Sequence, residues 1–129
     1  MTIYALSSGS GISGVAIIRI SGLEASNVIK SLTSREIPKP RMATLRKINN
    51  INTSELIDEG IIIWFPGPES YTGEDMAEIH IHGGKAGILA VQNEISKIKN
   101  CRLAEPGEFT KLAFQNGKIN LLKAESIGD

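Results

Sequence analysis

The chain has 129 residues, 41% of them hydrophobic, with fourteen basic and fourteen acidic side chains and a single cysteine. That length suits one globular domain around a single core, and the cancelled formal charge excludes the overall electrostatic footprint of a free-standing nucleic-acid binder, so any RNA connection is expected to be indirect. The lone Cys101 excludes an internal disulfide framework and a multi-cysteine zinc site, which fits a reducing, cytoplasmic compartment.

The start, "MTIYAL", lacks the charged lead and long apolar stretch of a secretory signal. No apolar run approaches the roughly 18 residues of a spanning helix, so no membrane association is expected. Ile3 to Leu6 reads as a short strand, and Ser7 to Gly14, "SSGSGISG", as a flexible turn. Val15 to Ile20, "VAIIRI", is a β-branched run interrupted by Arg19. Ser21-Gly22-Leu23-Glu24 has capping-box spacing, which predicts a helix over 22–32. Pro38 and Pro40 then make 33–41 an extended loop, leading to a strand over 42–48 and a turn over 49–55.

Leu56 to Phe65, "LIDEGIIIWF", ends in five large apolar residues. That run predicts a strand covered on both faces, either central in a sheet or pressed against a partner. Pro66-Gly67-Pro68 ends it. After the loop "ESYTGED" comes "MAEIHIHGG". If it is extended, Ala77, Ile79 and Ile81 share one face while Glu78, His80 and His82 share the other. Gly83-Gly84 releases the chain into a helix over 85–98 with an apolar stripe of Ile88, Leu89, Val91, Ile95 and Ile98, and with Lys97 and Lys99 at its negative end. A short strand over 101–104 follows. A further helix begins in Glu105-Pro106-Gly107-Glu108, with Pro106 in its first turn, and ends at Asn116-Gly117. The closing "NLLKAESIGD" starts a helical pattern with no stop signal, as expected of a chain cut from something longer. Strands and helices alternate irregularly, which predicts an α/β (α+β) two-layer sandwich, a mixed sheet with helices on one side.

Several motifs carry less than they suggest. Gly9 to Gly14 matches G-x-G-x-x-G, but a strand rather than a helix follows, so the flexible-turn reading is preferred. Asn116-Gly117-Lys118-Ile119 lacks the glycine and hydroxyl residue of a phosphate loop, Leu112 and Ile119 standing in their places. His80, His82 and Glu78 could converge on one metal ion, although two histidines on a partly polar strand are more often hydrogen-bonded or solvated. Ser7 or Ser70 with a histidine is only a composition match to a hydrolase. The segment from Lys30 to Lys47 holds a local excess of basic residues, read as solvated loop charge because no aromatic interleaves for base stacking. Cys101 reads as a small buried apolar residue.

Together, "VAIIRISG", the Trp64-Phe65-Pro66-Gly67-Pro68 segment, "SYTGEDMAEIHIHGG" and "AEPGEFTKLAFQNGKINL" resemble the N-terminal domain of the tRNA modification GTPase family called MnmE or TrmE, across essentially the whole chain. The resemblance implies a fold similar to the folate-binding domain of glycine-cleavage T-protein-like proteins, with residues 1–120 as a tetrahydrofolate-binding and dimerisation domain and 121–129 as the start of a truncated helical domain. It implies a homodimer, 5-formyl-tetrahydrofolate or a related tetrahydrofolate as ligand, and a role in wobble-uridine modification of tRNA with the flavoprotein MnmG, tRNA being met indirectly. GTP, potassium and magnesium belong in such proteins to a later GTPase domain, so this chain alone is not expected to be catalytic. The implied folate contacts are Arg19 of "IRISG", Glu78 of "GEDMAE" and Lys118 of "NGKINL".

The chemistry of those three suits the ligand. A carboxylate can accept the adjacent N–H donors of a pterin edge, and guanidinium and ammonium suit carbonyl and glutamyl oxygens. On the residues alone, a surface salt-bridge network is the alternative. Leu112 and Asn120 depart from the family pattern of arginine before "AF" and aspartate in "NGKxDL", which bears on ion pairing around the Lys118 turn. Two further alternatives are a pure assembly module dimerising through "IIIWF" and a metal-dependent hydrolase using His80 and His82.

Overall fold

The computed structural model describes residues 1–8, 14–82 and 84–119. Among these residues six strands form one sheet: β1 (Thr2–Ser8), β2 (Ala16–Ser21), β3 (Thr44–Asn49), β4 (Leu56–Phe65), β5 (Met76–Ile81) and β6 (Cys101–Leu103). Three helices accompany them among the described residues: α1 (Ala25–Thr33), α2 (Gly84–Ser96) and α3 (Glu108–Gln115). The strand order is β3-β4-β5-β2-β1-β6, with every pairing antiparallel except β1 with β6. This is the expected α+β sandwich with a mixed sheet.

Alternation along the strands decides what each face buries. Ile18 and Ile20 of β2, Ile62 and Trp64 of β4, and Ile79 and Ile81 of β5 point to one face. There they meet Val28, Ile29 and Leu32 of α1 and Ile88, Val91 and Ile95 of α2 in one core. Each such side chain contributes about 1.5–3 kcal/mol of transfer free energy. Among the described residues the opposite face is covered at one end, where Phe109 of α3 packs with Ile3 and Met76, bordered by Phe65, Tyr71 and Leu112.

β4 therefore departs from expectation. Both its edges are paired, but only Gly60, Ile62 and Trp64 are buried, while Ile61, Ile63 and Phe65 stay half-buried on the open face. The apolar run reports a strand with one finished face and one partly finished one. β4 and β5 approach closely at Gly60, where a Cβ would stand 2.2 Å from the His80 carbonyl oxygen.

The capping box does not form. α1 begins at Ala25, with Glu24 before it making no side-chain cap. Ser21 Oγ instead meets Thr72 Oγ1 at 2.8 Å and donates to Glu74 Oε1 at 2.8 Å, while the Glu24 N–H is satisfied by Thr2 Oγ1. Gly22, at φ 138°, leaves no room for a side chain, since a Cβ would lie 2.5 Å from Thr2 Oγ1. A long-range contact to β1 thus replaces the local cap.

Helix α2 ends at Ser96, before Lys99, and Leu89 lies outside its buried stripe at 66% exposure. The carboxylate of Glu94 is buried in its place, accepting from Lys97 Nζ at 2.7 Å and from the Ile51 N–H at 2.8 Å, which ties the β3–β4 turn to the helix. α3 starts two residues after Pro106 rather than around it. Glu108 reaches back to accept the Glu105 N–H at 2.9 Å, the reciprocal bond that the Ser21 sequence had suggested elsewhere. The expected helical start over 121–129, most of the glycine-rich turn, Gly83 and Asn120 lie outside the described residues.

Candidate functional site

Burial of Ile18 and Ile20 forces Arg19 to the open face, and burial of Ala77 and Ile79 does the same for Glu78. Register then sets three cross-strand rows on that face: Ile17, His80 and Ile61; Arg19, Glu78 and Ile63; Ser21, Met76 and Phe65. Arg19 and Glu78 are thus direct neighbours, with Nε and Oε2 3.7 Å apart, an ion pair too long for a good hydrogen bond. The other carboxylate oxygen, Oε1, meets His80 Nε2 at 2.9 Å. Both charged side chains remain about one-fifth exposed.

Aromatic residues complete the surroundings. The Arg19 guanidinium lies 4.9 Å from the Tyr71 ring centroid and 6.0 Å from that of Phe109, within the range of cation–π attraction. Tyr71 is itself fixed by a 3.2 Å hydrogen bond between its hydroxyl and Thr110 Oγ1 of α3. Of six aromatic residues in the chain, three (Phe65, Tyr71 and Phe109) stand around Arg19 and Glu78. A cavity of about 160 Å³ is lined by Arg19, Phe65, Tyr71, Met76 and Glu78. A larger one of about 370 Å³ runs from Arg19 between β1 and the segment 104–109. Arg19 is common to both, so the two form neighbouring compartments of a size suited to a small organic ligand.

Of the three site residues expected from the sequence, Arg19 and Glu78 are brought together. Lys118 lies apart, exposed on the turn after α3 and absent from the walls of either cavity. It covers the outside of the loop that presents Tyr71: a Cβ on Gly73 would meet Lys118 Cε at 3.3 Å, and the neighbouring Asn116 Nδ2 donates to the Thr72 carbonyl at 2.6 Å. His82 is exposed, its backbone N–H donating to Asp58 Oδ2 at 3.0 Å. Among the described residues no three of His, Cys, Asp and Glu gather as a metal site, and His80 is engaged with Glu78.

The larger cavity is bordered by an ion pair in which Arg102 donates twice to Glu108, holding that carboxyl below its ordinary value. Burial, seconded by the Glu24 carboxylate, raises the Cys101 thiol above its usual range, so it is not an activated nucleophile. Sequence reasoning set His80 on the face of Glu78 but missed Phe65, Tyr71 and Phe109. The available signal was the scarcity of aromatics in the chain together with the open-face position that alternation gives Phe65.

A sequence model described as the GTP-binding protein TrmE N-terminus matches residues 2–118. The tRNA modification GTPase MnmE of Pelagibacter ubique is 77% identical over 129 residues, all of this chain and 29% of the relative. A mitochondrial 5-taurinomethyluridine tRNA synthase subunit of Homo sapiens is 44% identical over 129 residues, 99% of this chain and 26% of the relative. The MnmE of Zymomonas mobilis is 46% identical over 128 residues, 99% of this chain and 30% of the relative. The chain thus spans less than a third of the length of these curated relatives.

Proposed function

Since the chain belongs to the TrmE N-terminal family, we propose that it is the folate-binding and homodimerisation domain of a cytoplasmic tRNA modification GTPase acting on the wobble uridine. The observation that carries the ligand reading is the placement of Glu78, a carboxylate on the wall of an aromatic-lined cavity with Arg19 beside it. Glu78 accepts the paired N–H donors of a pterin edge, and the rings of Tyr71 and Phe65 flank the flat heterocycle. Arg19, stacked on Tyr71, donates to ligand oxygens, with Lys118 reserved for the distal, anionic end of the molecule. When bound, 5-formyl-tetrahydrofolate or a related tetrahydrofolate supplies the one-carbon unit. This chain binds and orients it.

The dimer reading draws support from the same face. Ile17, Ile61 and Ile63 form a half-covered apolar strip beside the site, the kind of surface that a second copy would bury in an isologous contact. GTP, potassium, magnesium, MnmG and tRNA belong to the activity of the whole protein. Calorimetric titration with 5-formyl-tetrahydrofolate tests the ligand reading: saturable binding is expected, and no saturation at millimolar ligand would reject it while leaving the assembly function standing.

A further inference from the structure

The polar contacts of Glu78 are unequal. Arg19 Nε stands 3.7 Å from Oε2, beyond a good hydrogen bond, whereas His80 Nε2 stands 2.9 Å from Oε1. An ionised carboxylate accepts and has no proton to give, so the imidazole is the donor and its Nε2 carries the proton. Of these two contacts, the one from His80 is what fixes the direction in which the carboxylate faces.

The sheet holds His80 in place for this. Alternation sends Ile79 and Ile81 into the core and leaves residues 78 and 80 side by side on the open face of β5. Register sets His80 between Ile17 of β2 and Ile61 of β4 in one cross-strand row. Both neighbours are half-buried and β-branched, stiff side chains that flank an imidazole only 24% exposed. Glu78 lines the smaller cavity, while His80 lines neither. Any influence of His80 on a ligand there passes through Glu78.

We propose that His80 is a positioning residue for the folate site, its Nε2–H holding the Glu78 carboxylate in one orientation before the pterin edge arrives. The inference rests on the ligand reading above. A carboxylate offers about four lone-pair sites, so the single bond from His80 leaves room for two parallel bonds from the ligand. Without that bond the flexible Glu78 stem has to be ordered as the ligand binds, and the entropy of ordering is subtracted from affinity. His82, the next residue on the same face, has no such role, since its side chain is exposed and it meets Asp58 through its backbone N–H.

The test is calorimetric titration of the full chain with 5-formyl-tetrahydrofolate in His80→Ala, His80→Gln and His82→Ala, with thermal unfolding of each. His80→Ala is expected to weaken affinity about threefold to tenfold, the worth of one hydrogen bond. His80→Gln, which restores an N–H donor on a side chain of similar length, should recover most of that loss. His82→Ala should stay within about twofold of the parent chain. Glu78→Ala/His80→Ala should bind as Glu78→Ala does, because His80 acts through a carboxylate that is no longer there. A parent chain that saturates while His80→Ala binds equally well overturns this inference and leaves the ligand reading standing; a parent chain that never saturates overturns both. Equal weakening in His80→Gln and His80→Ala, a further loss of about threefold or more when His80→Ala is added to Glu78→Ala, or a loss in His80→Ala accompanied by collapse of the melting transition would each overturn the positioning role.

Discussion

Replacing Glu78 by alanine separates binding from folding, because the structure assigns this side chain little structural weight. Its pairing with Arg19 spans 3.7 Å and its contact with His80 Nε2 2.9 Å, both at about one-fifth exposure, and partly exposed pairs of this kind contribute at most about 1 kcal/mol each. Arg19 also rests over Tyr71, 4.9 Å from the ring centroid, a contact that Glu78 does not make. Ligand binding is another matter, since a pterin edge brought to the cavity would leave its N–H donors facing no acceptor, at a cost of ~1–3 kcal/mol. At roughly 1.4 kcal/mol per decade, that weakens folate affinity about fivefold to 150-fold. Glu78→Gln, which keeps one acceptor oxygen, should fall between. Calorimetry reads the affinity and thermal unfolding reads the fold. Unchanged affinity in Glu78→Ala, or a loss of affinity matched by a collapse of the melting transition, would refute the assignment.

Other residues give independent tests. Burial pushes the Glu94 carboxyl up, but the Lys97 and Ile51 hydrogen bonds and the Lys97 charge outweigh it and hold it below its ordinary 4.5. Its contribution to stability is therefore complete above that value and is lost as pH falls through the folded-state value, so urea midpoints of the parent chain and Glu94→Gln should converge on acidification; a constant gap would contradict this. Glu94→Ala at neutral pH should cost ~1–3 kcal/mol by leaving the Ile51 N–H and the Lys97 ammonium without their acceptor. Gly60→Ala drives a methyl into the His80 carbonyl and should destabilise by about 1–3 kcal/mol in chemical denaturation. Ile63→Asp, on the half-buried strip, should shift sedimentation toward monomer while leaving the fold intact; a monomeric parent chain at tens of micromolar would remove the dimer reading.

Periodicity made the strands legible. β4 matches its expected bounds, 56–65, and the opposition of Ile79 and Ile81 to Glu78 and His80 on β5 follows from alternation alone. What escaped was decided by contacts distant in sequence. Ser21 carried a helix-cap signature, yet its hydroxyl meets Thr72 and Glu74, more than fifty residues on. The apolar run 61–65 could not reveal that α1 and α2 both choose the same face of the sheet. At the site, motif resemblance named Arg19, Glu78 and Lys118, and register places the first two side by side. The aromatic wall could not be read, because Tyr71 and Phe109 reach Arg19 from a loop and a helix that only the folded chain brings to β2.

The most direct measurement is a residue-resolved amide chemical-shift map recorded while 5-formyl-tetrahydrofolate is titrated into the labelled chain. Saturating shifts concentrated at Arg19, Tyr71, Glu78 and Phe109 are predicted. Shifts that fail to saturate at millimolar ligand, or that cluster away from the open face of the sheet, would contradict the account.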